Sequence, residues 1–300
     1  MIFRKIFLNT YLKIIKKISK GKGYGKKYNI IKSFSGRIES SLITDSAEVW
    51  AGKMFLHPND AFRLSIYGIH NKIDFEIFKK HVKEGDNVID IGANIGYFTL
   101  MLAKLVGPTG KVFAFEPDPR NISLLKKNIE TNNYQNVVVV PKAVSNVNQK
   151  CTLFTSQATF GQNRIYEPKK TKNQEYVPIE SETISLDNFF KTDETMKNIS
   201  FVKIDVEGAE KFVLEGMENI LDLNKNIKIF SEIDLDRLDD AGSSYTEMIE
   251  LLEEKEFTIF LVNDTNDEIV KGNIKSIGKT LKEIPGSQNI LCLRDEFNIE

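Results

Sequence analysis

The stretch VIDIGANIGYFTL, Val88 to Leu100, passes from a buried strand through a turn into a helix. Asn87 to Ile91 is a short run with the β-branched residues of a covered strand, and apolar residues recur at helical spacing from Gly96 to Val106. Glycine-rich turns between a strand and a helix commonly hold phosphate, in the pattern G-x-G-x-x-G. Here the pattern is D-x-G-x-N-x-G, with Asp90 directly before the turn and Asn94 where a dinucleotide site wants glycine. Gly92 permits the tight turn, and Gly96 permits a close backbone approach at the helix start. A carboxylate in that place repels a pyrophosphate and suits an ammonium group.

S-adenosylmethionine carries an amino group, a sulfonium, a carboxylate and a ribose, and no phosphate. Asp90 is expected to take its amino group directly or through water, with the N–H groups of the turn facing its methionine part. A second acid, for the ribose hydroxyls, belongs at the end of the next strand, about 20 residues on. Glu116 in FAFEPDP lies 24 positions after Gly92, with no adjacent Arg to receive a 2'-phosphate. A second constellation, FVKIDVEGAE from Phe201 to Glu210, brings Asp205 and Glu207 to the same sheet edge, with Gly208 for a sharp turn. These acids could serve only as helix caps, at about 0.3–1 kcal/mol each. The chemical alternative sets them beside the reacting methyl group, to steady a sulfonium, position a hydroxyl or accept its proton.

Strands and helices alternate outward from this turn. Strands are expected at Lys111 to Phe115, Val137 to Val140, Phe201 to Ile204, Ile227 to Ile233, Phe257 to Val262 and Asn289 to Leu293. Helices are expected at Asp74 to Val82, Pro119 to Asn132, Ala209 to Leu223 and Tyr245 to Glu254. Such alternation implies a doubly wound, mostly parallel α/β sheet covered on both faces. Residues 86–300 then form the main domain, with a polar, poorly periodic insertion at about 151–199 that either shapes a pocket or decorates the surface. Residues 29–85 read as an irregular N-terminal subdomain with Trp50, Phe55 and Phe62 as its core.

Charge is distributed unevenly. Met1 to Ile38 holds nine Lys, two Arg and no acid, a charge of +11, which leaves -12 of the formal -1 on the other 262 residues. Residues 1–28 read as a basic amphipathic helix or arm, which either packs on the main domain, lies through residues 1–20 on an anionic membrane surface, or meets nucleic acid. Cys151 and Cys292 form no disulfide framework or metal cluster, and no apolar run is long enough to span a membrane. A cytoplasmic location is expected, with peripheral contact at the inner membrane surface as the arm's second use.

VIDIGANIGYFTL, FAFEPDP, PKAVSN, TISLDNFF and FVKIDVEGAEKFVLEG together resemble the FkbM-type S-adenosylmethionine-dependent methyltransferases, over about Glu76 to Glu232. The resemblance implies a class I methyltransferase fold, Rossmann-like, with a seven-stranded sheet holding one antiparallel strand. It also implies O-methylation of hydroxyls on saccharides, glycolipids or natural products. By position, Asp90, Gly92, Ala93, Asn94 and Gly96 match the cofactor turn, Glu116 the ribose acid, and Asp205 and Glu207 the signature carboxylates. Glu76 matches an acid often found upstream of the first strand, a second partner for the amine. Lys142 and Ala143 sit where the adenine is usually met, although an acid is commoner there, and Glu232 resembles a further family glutamate.

Methyl transfer is an in-line displacement, so positioning dominates, but a sugar hydroxyl must still lose its proton. Asp205 or Glu207 is expected to take it, with His57 as an outside candidate. Glu207, Glu232 and Asp234 could hold magnesium or calcium if they converge, although nothing in their spacing requires a metal. The rival readings are an RNA methyltransferase that uses the basic arm on phosphates, and a non-catalytic S-adenosylmethionine-binding module. Against base methylation, the segment after the fourth strand lacks an aromatic-ended Pro-Pro motif to stack a flipped base.

Overall fold

Strand β3, Asn87–Ile91, lies in the middle of the sheet, parallel to a neighbour on each side, and its last four residues are buried. In the computed structural model, residues 43–58, 63–157, 159–169, 175–263, 268–284 and 286–294 are described. The basic arm at 1–28 and Phe62 lie outside them.

A hairpin of β1, Ser46–Val49, and β2, Gly52–Phe55, precedes β3. The main sheet then takes β4, Lys111–Phe115, and β5, Val137–Val140, on one side of β3. A separate three-stranded sheet is built from β6, Ala143–Val144, β7, Gln149–Ser156, and β8, Tyr176–Ile184. The other side of β3 carries β9, Ile199–Ile204, and β10, Lys228–Ile233, both continuing the parallel direction. Beyond them lie β11, Thr258–Asn263, β12, Glu268–Gly272, and β13, Gln288–Leu293. The order is β12-β11-β13-β10-β9-β3-β4-β5.

The sheet therefore has eight strands rather than the expected seven. β13 runs antiparallel to both its neighbours, and β12 adds a second antiparallel strand as a hairpin on β11. β12 escaped the sequence reading because it is a largely solvated edge strand with no apolar run. The doubly wound, mostly parallel class I arrangement otherwise stands.

Alternate residues feed two cores. Ile89, Ile91, Phe113, Phe115, Val202 and Ile204 face one layer of helices, whereas Val88, Val112, Ala114 and Phe201 face the other. The segment read as one helix, Ala209 to Leu223, is two, Glu210–Glu215 and Glu218–Leu223. A Cβ on Gly216, between them, would stand 2.2 Å from the Ser145 carbonyl oxygen, so the chain breaks where it crosses that strand end. The insertion is ordered as the β7–β8 ladder, whose exposed faces hid its periodicity. In the N-terminal hairpin Ala47, Ala51 and Met54 are buried, as is Leu56 just after it, while Trp50, expected in the core, is 41% exposed because it sits at the hairpin turn.

Register places the site. Ile91 pairs with Phe115 and with Ile204, so β3, β4 and β9 end on one level, and Ser231 of β10 pairs with Ile204. Gly92, Glu116, Asp205 and Glu232 follow at one carboxyl edge. Gly92 has φ 75°, and a Cβ there would stand 1.9 Å from the Asp205 carbonyl oxygen. Gly92→Ala is expected to destabilise the fold by roughly 2 kcal/mol or more, combining left-handed strain with a backbone clash. Urea unfolding measures this, and an unchanged midpoint would contradict the tight approach.

Candidate active site

Asp90 and Lys203 are register partners on adjacent parallel strands, so both side chains leave the sheet on the same face. Lys203 Nζ lies 3.4 Å from Asp90 Oδ1 and 3.3 Å from Asp205 Oδ2, and donates to the Gly92 carbonyl at 3.0 Å. Burial pulls the lysine pKa down, but the charges of Asp205 and Asp90 outweigh it and leave the net shift upward. Asp90 also accepts from Thr99 Oγ1 at 2.6 Å and is wholly buried. The expectation that Asp90 meets a ligand ammonium is thus corrected: the chain's own ammonium already fills that role.

The turn itself offers no free donors to an anion. The Gly92 and Ala93 N–H groups both donate to Phe115 O at 3.0 Å, and Gly96 N–H donates to Ala93 O. Asn94 N–H donates to Glu116 Oε2 at 2.8 Å, and Ile95 N–H to Asn94 Oδ1 at 2.7 Å. The N–H groups of residues 92–96, expected to face a ligand's carboxylate, are spent inside the protein.

A cavity of about 530 Å³ opens beyond the turn. Gly92, Asn94, Glu116, Ala143, Asp205 and Glu207 all line it, as do Lys142, Glu232 and His57. Asp90, Ala93 and Gly96 stand behind the wall and shape the turn. Glu76 is not brought to the cavity: its helix, Lys72–His81, turns it to solvent, 3.9 Å from Lys79. Asp74, two residues earlier, is the inward carboxylate of that helix, with the Asn289 side chain 3.4 Å away.

Burial raises the Glu116 carboxyl to about 7 against the hydrogen bonds from Asp118 and Asn94. Asn121 Nδ2 donates to Glu116 Oε1 at 3.3 Å and to Phe160 O at 3.0 Å, so its Oδ1 is an acceptor. His57 Nε2, 2.8 Å from that oxygen, must therefore carry the ring proton, and Nδ1 keeps its lone pair. Burial lowers the His57 pKa, and its ring stacks on Phe160 at 3.8 Å. Phe160 comes from the insertion, whose Gly161 also rests on the turn: a Cβ there would be 3.1 Å from Asn94 Nδ2. The insertion is part of the pocket wall.

At the other end, carboxylate oxygens of Asp205, Glu207 and Glu232 lie within 4.8 Å of one another. Arg237 lies against this group, 2.7 Å from Glu207, 2.8 Å from Glu232 and 3.5 Å from Asp234. Asp234 is turned to cap the helix Leu235–Asp240, so it does not complete an acidic triad with Glu207 and Glu232. A guanidinium already neutralises part of the cluster, which suits a hydrogen-bonding site better than a dication. Burial raises Glu207 well above the carboxylate range despite Arg237, and raises Glu232 to about 8 with help from the Asp205 charge. Glu207 and Glu232 share the Arg237 guanidinium, and burial still holds both carboxyls above their ordinary range.

Glu207 is held at φ 62°, a left-handed backbone unusual for a residue with a side chain. Tyr166 Oη, from the insertion, donates to its carbonyl and to the Arg237 carbonyl at 3.2 Å. Lys203, Asn121, Tyr166, Phe160 and Arg237 were not assigned from sequence. Only Lys203 left a signal, a charge in the middle of an otherwise apolar strand.

Residues 90–259 match the Methyltransferase FkbM domain. "Methyltransferase 1" of Beauveria bassiana is 26% identical over 239 residues, covering 74% of this chain and 90% of that protein. "Methyltransferase sdnD" of Sordaria araneosa is 29% identical over 204 residues, covering 53% of this chain and 74% of its own length. Among solved structures, Aeropyrum pernix fibrillarin with natively bound S-adenosyl-L-methionine aligns at a TM-score of 0.43 and 12% identity, over 74% of each chain.

Removing the ammonium from the buried pair should be costly. Lys203→Met is expected to lose about 3–5 kcal/mol by stranding Asp90, and Lys203→Met with Asp90→Asn to lose clearly less. Chemical denaturation of the three proteins checks this; equal losses would show that the charges do not depend on one another.

Proposed function

The chain belongs to the FkbM methyltransferase family, a family of S-adenosylmethionine-dependent enzymes, and on that premise we propose that it methylates a hydroxyl group, on a saccharide, glycolipid or natural product. The observation that carries this reading is the carboxylate group at the ends of β9 and β10. Glu232 is raised to about 8 and Glu207 is raised with it, which poises a proton acceptor near neutral pH.

The cavity suits the cofactor's parts. Glu116 stands where ribose hydroxyls need an acceptor, and Phe115, Pro117 and Val144 offer apolar wall to an adenine near Ala143. Asp205, whose side chain is 37% exposed, is placed to meet an ammonium, while Lys203 secures it from behind. S-adenosylmethionine, when bound, supplies a methyl group on a sulfonium already activated for displacement. Glu207 or Glu232 would accept the proton that the acceptor hydroxyl gives up when that methyl group is transferred to its oxygen. Arg237 keeps these carboxylates within reach of one another, and the insertion contributes Phe160 and Gly161 to the cavity wall.

Thermal shift separates this reading from a nicotinamide enzyme. S-adenosylmethionine and S-adenosylhomocysteine should raise the melting temperature and NAD should not. No shift from either sulfur nucleotide would remove the cofactor from the proposal.

A second measurement concerns the base. Glu207→Gln should keep the ligand-induced shift while lowering turnover by roughly a hundredfold. Because the raised carboxylates must be ionised to accept a proton, kcat/KM for methyl transfer should rise with pH toward about 8. A rate already flat from pH 5 upward would exclude them.

A further inference from the structure

Opposite in character to the acidic cavity, the N-terminal face of the protein carries aromatic rings covered by lysines. Trp50, the only tryptophan of the chain, is 41% exposed at the β1–β2 turn. It meets Phe75 edge to face at 5.2 Å, and Lys104 Nζ lies 4.3 Å from its ring centre while donating to the Trp50 carbonyl at 2.6 Å. Lys79 Nζ stands 5.2 Å from the Phe75 ring. On the next strand, Phe55 is approached by Lys127 at 3.5 Å and Lys53 at 5.1 Å. The exposed side of the helix Lys72–His81 presents Lys72, Lys79 and Lys80 against Glu76 alone, and Glu48 opposes Lys53 across the hairpin.

We propose that this face docks on an anionic lipid surface, with Trp50 and Phe75 at the headgroup level and Lys53, Lys79, Lys104 and Lys127 reaching lipid phosphates. Aromatic rings at an exposed surface with lysine ammonium groups over them, as Lys104 over Trp50 and Lys127 over Phe55, are the side chains an interface between water and hydrocarbon selects. Charge complementarity names the occupant: Lys53, Lys72, Lys79, Lys80, Lys104 and Lys127 outnumber Glu48, Glu76 and Glu130, and the +11 segment at residues 1–38 ends eight positions before β1 begins at Ser46. Nucleic acid fits less well, because Lys104 covers a face of Trp50 and Phe75 packs against that ring, which hinders stacking by a base. The face also leads to the cavity: Leu56 and His57, which follow Phe55 directly, line it. Docking would bring a membrane-held acceptor near the pocket. The inference does not rest on the methyl-transfer reading and is tested without it.

The full chain carries its own reporter. Titration with phosphatidylcholine vesicles containing about a third phosphatidylglycerol should shift Trp50 emission to the blue and allow quenching by brominated lipid, whereas pure phosphatidylcholine should do neither. Lys79→Glu with Lys104→Glu should weaken partitioning on the anionic vesicles roughly tenfold or more. If the protein sediments with vesicles while Trp50 emission stays unchanged, another segment binds and the proposal fails. It fails equally if the protein does not bind, or if a short RNA and no vesicle changes the emission.

Discussion

A single buried ammonium, shared by two carboxylates, sets the geometry on which the rest of the site depends. Lys203 joins the end of β3 to the end of β9 through Asp90 and Asp205, and takes the Gly92 carbonyl as a third partner. Each of these charges alone would be expensive to bury; together, and in register across one strand pair, they specify how the two strand ends meet. The pairing contributes position more than net stability. It pins the turn after β3 against β9 so closely that only a glycine fits at 92.

Once the turn is pinned, its hydrogen bonds decide what it can hold. A phosphate-binding turn leaves its N–H groups pointing outward, but here they are consumed by Phe115, Glu116 and the turn's own atoms. Four acids line the cavity, Glu116 after β4, Asp205 and Glu207 after β9, and Glu232 from β10, beside the basic Lys142 and Arg237. The protein achieves this with the same strand-turn-helix that elsewhere receives pyrophosphate.

Much of this was legible in the sequence, for identifiable reasons. Strands covered on both faces announce themselves as apolar runs, and Asn87–Ile91 and Lys111–Phe115 lie where the pattern put them, as does the edge strand Val137–Val140, which is four valines. Solvated elements that mix polar and apolar residues lack that signal, so β12 and the β7–β8 ladder were missed. The carboxylates of the cavity were visible because acids at strand ends break an apolar pattern. Their partners were not: which cation neutralises Asp90, or where Arg237 lies, depends on register and on contacts across long stretches of chain. Asp90 could be read as a ligand-facing acid only while Lys203, 113 positions away in sequence, was not yet paired with it.

The left-handed backbone at Glu207 bears on how this protein trades robustness for chemistry. A residue with a Cβ in that conformation costs about 1–2 kcal/mol, and glycine would occupy it at little cost. The next residue, Gly208, shows that glycine is available to this loop. A protein under selection for folding alone would place glycine at both positions. Retaining a glutamate there, buried, raised in pKa and held by Tyr166 and Arg237, marks a position where the fold sits below its own stability optimum. Stabilising substitutions in this loop are then the ones to distrust in any hardened variant, since the strain and the carboxylate reside in the same residue.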